Sequence, residues 1–307
     1  MQSRTSFKGV LILLITAFVW GSSFLAQKFG TDSGVEPFTF QAVRTLLGSV
    51  VLLPVILFRK KVFNQKFSRE STKKVLIFGS ILGVLLCAAT NLQQYAFLYE
   101  SSAGKIAFIT AMYIFLVPIV SLFFRKKIPL LTWFCIAAGF VGLYFLCIKE
   151  EGFGSINRGD VLTLLCSVFF CVQILCLERF SPECDGVQLA CMQFFVSGII
   201  SFVLMLIFDN PSIAVLKTAL FPILYSGILS CGVAYTLQII GQKYCEATIA
   251  SLLMCTESVF AVIVEALVLH QLPSFWEGIG CVIMFGAIIL SQIAAMRTTS
   301  STAVQDK

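Results

Sequence analysis

The stretch GVLLCAATNLQQ at residues 83–94 and the stretch GILSCGVAYTLQ at residues 227–238 lie 144 positions apart and share an outline. Gly83 falls on Gly227, Cys87 on Cys231 and Gln94 on Gln238. The same shift carries Ala103 onto Ala247, Pro129 onto Pro273 and Gly142 onto Gly286 without a gap. Upstream, a shift of 151 brings Leu13, Leu14, Thr16, Phe18 and Phe29 onto Leu164, Leu165, Ser167, Phe169 and Phe180. A shift of 150 brings Gly48 and Phe58 onto Gly198 and Phe208. Apolar matches arise easily by chance. An ungapped run with Pro, Gly and Gln coincidences is a stronger sign that one unit is used twice.

The unit is a membrane unit. Of the 307 residues, 58% are apolar and only 12% charged, and the mean hydropathy is +0.93. A soluble domain needs about twice that charge to cover its surface. Apolar runs near the roughly 20 residues that span hydrocarbon recur almost end to end. They predict ten helices, near Gly9–Phe29, Pro37–Phe58, Val75–Tyr99, Lys105–Phe124, Pro129–Ile148, Gly159–Leu177, Val187–Phe208, Ala219–Gln242, Ala247–Leu269 and Pro273–Ala294. Long runs without strand-like alternation favour helices over a barrel. The fold class is therefore all-α: ten transmembrane helices as two five-helix repeats. Residues 1–150 form the first unit, 151–296 the second, and 297–307 a cytoplasmic tail. An odd number of spans per unit makes the two units enter the membrane in opposite directions, the inverted design of many secondary transporters.

Charge sets the orientation. With the N-terminus inside, 16 of the 22 Lys and Arg fall on the cytoplasmic side, seven of them between Arg59 and Lys74. Five fall outside: Lys28, Lys105, Lys149, Arg158 and Lys217, with Arg44 inside a span. That asymmetry follows the positive-inside rule and places both termini in the cytoplasm. The basic flank of Arg4 and Lys8 precedes an apolar run that passes Trp20 without a cleavage pattern, so the first helix reads as retained. Twelve cysteines contain no C-x-x-C pair, and Cys87, Cys135, Cys166, Cys171, Cys176, Cys231, Cys255 and Cys281 sit in apolar runs. They read as small apolar packing residues. The motif Gly79-x-x-x-Gly83 is discounted as a packing signal, because glycines at this frequency produce such matches often.

Trp20-Gly21-Ser22-Ser23-Phe24 in the first span resembles the W-G-S-x-F signature of the drug/metabolite transporter superfamily, EamA type. Arg44, Pro118 and the run Glu257-Ser258-Val259-Phe260 are similar to recurrent positions of that family, in the right order within a five-plus-five frame. The likeness covers nearly the whole chain. It departs where the family often ends its fourth and ninth spans with Leu-Gly-Glu: here stand Phe124-Arg125-Lys126 and Leu269-His270-Gln271. Ser258 occupies a place where Pro is frequent. The resemblance implies export or uptake of amino acids, metabolites or amphiphilic compounds across a bacterial cytoplasmic membrane, without naming one substrate.

Ionisable and amide side chains at membrane depth are costly, and they usually face the bundle interior or a cavity. Glu257 lies near the middle of the ninth span, and its repeat mate is Tyr113 in the fourth. The pair is expected at the midplane on either side of the repeat axis, where a desolvated carboxyl permits proton coupling. Glu265 lies eight residues on, about 80° round the helix, and shares that coupling or ion-pair role only if the cavity reaches it. Arg44, always charged, pairs with a carboxylate, binds substrate or anchors a helix. Thr16, Trp20, Ser23 and Gln27 form one stripe of the first span. Asn91 and Gln94 share a face of the third, as do their mates Tyr235 and Gln238 on the eighth; Gln173 adds an amide in the sixth. Trp20, Ser23, Asn91, Gln94, Tyr113, Gln173, Tyr235, Gln238 and Glu257 are the expected substrate-binding residues. His270, the single histidine, sits at a span end.

No Walker A loop, H-E-x-x-H or G-x-S-x-G motif is present in the sequence, so no cofactor, metal or catalytic residue is expected. The expected partners are a small-molecule substrate and membrane lipid, not nucleic acid. The leading reading is a secondary transporter working by alternating access. A membrane enzyme or sensor and a passive pore are the alternatives. The orientation is testable: a green fluorescent protein fused after Lys307 should fluoresce, and alkaline phosphatase fused there should stay inactive. The reverse pattern would place the C-terminus outside.

Overall fold

The computed structural model describes residues 6–62, 69–99, 103–124, 128–147 and 157–270, together with 274–276, 278–280, 282–287 and 289–290. Arg125–Lys127, the loop from Lys149 to Gly152, Pro273, Cys281 and the tail 297–307 lie outside the described residues. Among the described residues the chain is helical, with no strand. Seven helices are long and apolar enough to cross a membrane: Phe7–Asp32, Pro37–Arg59, Glu70–Ala96, Arg158–Glu183, Gly186–Phe208, Leu220–Gln242 and Ala247–Val268. Shorter apolar helices run over Tyr113–Phe123, Leu130–Gly142 and Gly278–Ala287. The protein is a multi-pass membrane protein.

Helix α1 spans Phe7–Asp32, α2 Pro37–Val62 and α3 Arg69–Ala96. The next passage divides into α4 (Ala103–Thr110) and α5 (Tyr113–Phe123), and α6 follows at Leu130–Cys147. Then come α7 (Arg158–Phe180), α8 (Gly186–Phe208) and the short α9 (Ile213–Thr218). Helix α10 (Leu220–Leu224) leads into a π-helical segment, Tyr225–Tyr235, and α11 (Thr236–Gln242) completes that passage. The last described long passage also divides, into α12 (Ala247–Met254) and α13 (Glu257–Leu269).

The sequence places its stops. Ser6 accepts a hydrogen bond from the Gly9 amide at the start of α1. Asn157 and Asp160 form a reciprocal capping box on α7, which satisfies two orphan amides. Asp185 caps α8 through the Val187 and Gln188 amides and also takes the forked guanidinium of Arg59 at 2.9 and 3.2 Å. At the other end of the bundle Asp209, just past α8, accepts the Thr39 amide (2.6 Å) and hydroxyl (2.8 Å). Burial pushes the Asp209 carboxyl up from its usual range, and the two Thr39 bonds oppose that. Gly34 supplies the left-handed residue (φ 83°) of the turn between α1 and α2. His270 ends α13 in the same region (φ 54°), exposed, as a loop-edge residue.

Large apolar side chains cover the outside, and amides are buried inside among a mostly apolar core. Gln41, Gln94, Gln173 and Gln193 are buried, whereas Leu57, Phe58, Phe123, Leu206 and Phe208 are exposed. That arrangement suits a lipid surround, where the driving force for helix contact is close van der Waals packing. Small residues provide it. A Cβ on Gly79 would stand 2.6 Å from the Met192 Cβ, and one on Gly83 would stand 2.7 Å from the Val196 Cβ and 2.8 Å from the Gln193 carbonyl. The Gly79-x-x-x-Gly83 pattern, discounted from sequence, is thus the contact between α3 and α8. Its counterpart Gly227 lies against α2, where a Cβ would meet Leu47 at 2.6 Å. Each unit's glycine is filled by a helix of the other.

A branched side chain at Gly83 has to push α3 off α8, a cost of roughly 1–3 kcal/mol. Gly83→Leu should therefore lower the melting temperature of detergent-solubilised protein by several degrees. Gly286→Ala, where nothing among the described residues lies within 4 Å, should leave it unchanged. Equal melting of both variants would remove the helix contact from its assigned role.

Candidate functional site

Two helix breaks stand 144 residues apart and end on the two residues that the repeat pairs. Helix α4 stops at Thr110 and α5 restarts at Tyr113; α12 stops at Met254 and α13 restarts at Glu257. Local chemistry makes each break. In the first, Met112 and Ile114 donate to the Ile109 and Ala111 carbonyls in tight turns, and Pro118, which cannot donate to the Ile114 carbonyl, follows within α5. In the second, the Thr256 hydroxyl takes the Leu253 carbonyl at 2.6 Å, and the Cys255 thiol takes that of Leu252. Across the bundle the Tyr113 hydroxyl donates to Glu257 Oε1 at 3.1 Å. Glu257 is 4% exposed, and among the described residues no cation lies within 4.0 Å of it.

Around this contact lies a narrow cavity, partly open to the outside, with about 30 Å³ of free space. The second half of α1 forms one wall with Trp20, Ser23, Phe24 and Gln27; Arg44 and Gln93 enter from α2 and α3. Thr110 and Tyr113, Phe170 and Ile174, Ser230, Tyr235 and Gln238, and Met254 and Glu257 close the rest. Seven of the expected residues, Trp20, Ser23, Arg44, Tyr113, Tyr235, Gln238 and Glu257, are gathered here.

Each residue of Trp20-Gly21-Ser22-Ser23-Phe24 has a separate task. The Trp20 ring lies 4.6 Å from that of Tyr235, forming an aromatic wall. Gly21 lets α1 touch α13, since a Cβ there would stand 2.5 Å from the Glu257 carbonyl. Ser22 turns away and meets the Tyr225 hydroxyl at 2.6 Å. Ser23 and Phe24 face the cavity. Trp20 Nε1, Ser23 Oγ and Gln27 Oε1 are buried without a hydrogen-bond partner among the described residues. Such atoms cost about 1–3 kcal/mol each unless something completes them.

Four expected residues lie elsewhere. Asn91 donates to Ser201 Oγ (2.9 Å) and the Cys87 carbonyl, and so belongs to the α3–α8 seam. Gln94 donates to Thr31 Oγ1 at 2.9 Å and ties α3 to α1. Gln173 stands behind the wall in a reciprocal amide pair with Gln238 (3.3 and 3.4 Å), which orients Gln238. Glu265, half-buried two turns beyond Glu257, is not in the wall. The repeat explains the first miss. Tyr235, mate of Asn91, ends a π-helical segment whose wider turns present a different face from that of regular α3.

Gln93, Thr110, Phe170, Ile174, Ser230 and Met254 went unread in the sequence. Gln93 adjoins the chosen Gln94, about 100° round the helix. Thr110 and Met254 are themselves repeat mates, three residues before Tyr113 and Glu257, so the repeat did carry that signal.

Residues 7–148 and 157–293 each match the EamA-like transporter family. A protein of Archaeoglobus fulgidus described as an uncharacterized transporter is 27% identical over 91% of this chain and 83% of its own. One from Clostridium kluyveri, described in the same words, is 23% identical over 92% of each. A solved crystal structure superposes with a TM-score of 0.76 at 19% identity, covering 94% of this chain and 98% of that one, which shows a shared fold. The chain is a membrane protein of the EamA-like transporter family.

Proposed function

We propose that the protein is a secondary transporter that moves a small organic metabolite, an amino acid or amphiphilic compound, out of the cell by alternating access. The observation that carries this reading is the Tyr113–Glu257 hydrogen bond, made between repeat mates at two matching helix breaks on a cavity wall. Discontinuous helices meeting near the middle of a bundle are the usual form of a transporter binding site. In this reading the chain makes ten spans, five plus five in opposite directions, with both termini in the cytoplasm of a bacterial cell. The three shorter apolar helices, the first of them preceded by α4, account for the spans beyond seven. The two units rock about the cavity, and Trp20, Ser23, Tyr113, Tyr235, Gln238 and Glu257 hold the cargo.

Glu257 is the coupling group. A buried carboxylate with no cation beside it is costly, and a proton or a cationic part of the cargo removes the cost. Each passage through the occluded state then carries one or the other. A membrane enzyme or a pore lacks a specific observation in its favour.

Protein reconstituted in liposomes should take up a labelled amino-acid mixture with a rate that saturates. A flux rising linearly without a plateau would mean a pore. Glu257→Gln keeps the shape and removes the charge. A charge-assisted hydrogen bond contributes about 1.5–3 kcal/mol, so the initial rate should fall at least about tenfold, with unchanged membrane insertion. Wild-type rates in that variant would end the coupling role.

A further inference from the structure

The cavity holds a second charge. Arg44 is 2% exposed, and among the described residues no carboxylate comes within 4.0 Å of it. Among the described residues, of its five N–H donors only Nε is used, donating to Gln41 Oε1 at 2.8 Å. The Gln41 side chain is itself fixed, its Nε2 donating to the Thr90 carbonyl at 2.7 Å. The Phe40 ring lies 5.6 Å from the guanidinium carbon. The side chain is therefore clamped along its stem while its forked end is left without a partner at the cavity. An arginine serving only to anchor helices would spend those donors on backbone carbonyls. This one does not.

We infer that Arg44 is the carboxylate-binding residue of the cavity, so that the cargo carries a free carboxylate held by the guanidinium fork. The inference rests on the cavity being the transport site and adds the chemical class of what fills it. Two observations select a carboxylate over a phosphate. Arg44 is the one cationic side chain among the described lining residues, and Glu257 shares the same wall. With Glu257 ionised the two charges cancel, so a cargo carboxylate is balanced by an amine on the same cargo or by a proton on Glu257. A dianion would add a further unmatched negative charge in a site of low dielectric. The planar fork of arginine also matches a carboxylate through two parallel hydrogen bonds.

The remaining wall describes the rest of the cargo. Tyr113 occupies one oxygen of Glu257 and leaves the other to a donor on the cargo. The same cavity is lined by the rings of Trp20 and Tyr235, 4.6 Å apart, which suit an apolar body. The cargo is then a carboxylate with an apolar body and a hydrogen-bond donor, preferably an amine.

The test uses purified full-length protein in lipid nanodiscs and two matched sets of ligands. The first is L-phenylalanine, L-phenylalaninamide and phenethylamine; the second is L-leucine, L-leucinamide and 3-methylbutylamine. At least one acid should raise the melting temperature, by mass action on the folded state, while its amide and amine, tenfold or more weaker, do not at the same concentration. Arg44→Gln should abolish the difference between acid and amide, and Arg44→Lys should keep part of it. Amides binding as well as their acids would overturn the carboxylate site and leave the transport reading standing. So would an equal shift with sodium chloride alone, or acid binding unchanged in Arg44→Gln. If no acid shifts the melting temperature the carboxylate site also falls, and saturable liposome uptake then decides separately whether transport survives. The comparison of acid with amide on the unaltered protein keeps the inference testable even where an Arg44 variant does not fold.

Discussion

Hydrocarbon offers no hydrogen bonds, so every backbone group in a membrane span has to be paired within the protein. This constraint decides where the chain can leave a regular helix. It does so at 111–112, at 255–256 and along Tyr225–Tyr235. At the first two, amides that lose their regular partner bond three residues back, and hydroxyl or thiol side chains take up freed carbonyls. The breaks are therefore tight turns with little unpaired backbone. They are affordable inside the bundle, and they set Tyr113 and Glu257 at the head of a new helix each.

The same rule sorts the buried polar side chains into two kinds. Along α3 and α8, Asn91, Cys87 and Ser201 bond to one another, and Ser49 bonds to the Cys191 carbonyl. These groups hold helices in register. Around the cavity, charge sets the wall apart: among the described residues Arg44 keeps its fork unused and Glu257 has no cation within 4.0 Å. Unpartnered polar atoms occur in both places, at Trp20, Ser23 and Gln27 on the wall and at Asn91, Gln193 and Ser197 on α3 and α8. Those of the wall adjoin a cavity, where a ligand can complete them.

Much of this was legible in the sequence because a repeat doubles the evidence. Tyr113 and Glu257 could be paired by counting, and the structure places them in hydrogen-bond contact. The α1 stripe was legible too, since a regular helix keeps Trp20, Ser23 and Gln27 on one face. What failed was any inference that carried a face from one unit to the other. Counting carries residue positions but not rotation, and the π-helical passage turns its residues differently from α3. Asn91 and Gln94 were therefore assigned to a cavity that Gln93 enters instead. The close packing at Gly79 and Gly83 was hidden for another reason. A glycine pattern shows that a helix can be approached, and only the partner shows that it is.

The two ends of the bundle are held differently, and this bears on how a cavity between them could open. At one end Arg59 grips Asp185 with two hydrogen bonds, Lys74 meets Glu183 at 3.2 Å, and the Phe78 and Phe180 rings stack at 4.1 Å. These contacts join helices of the first unit to helices of the second. At the other end Thr39 meets Asp209, and the Asn210 amide donates to Glu36 at 2.6 Å, again across the units. The ion pairs of the first set are partly exposed and contribute little, about 0–1 kcal/mol each. The two Thr39–Asp209 bonds are buried and, as hydrogen bonds to a charged group, contribute about 1.5–3 kcal/mol each. The glycine contacts between them are apolar, but the Asn91–Ser201 and Ser49–Cys191 hydrogen bonds run alongside, so sliding α3 or α2 over α8 breaks polar contacts as well. In the alternating access proposed above, opening either end therefore costs contacts that a bound cargo has to offset, and the charges at Arg44 and Glu257 are where it would do so.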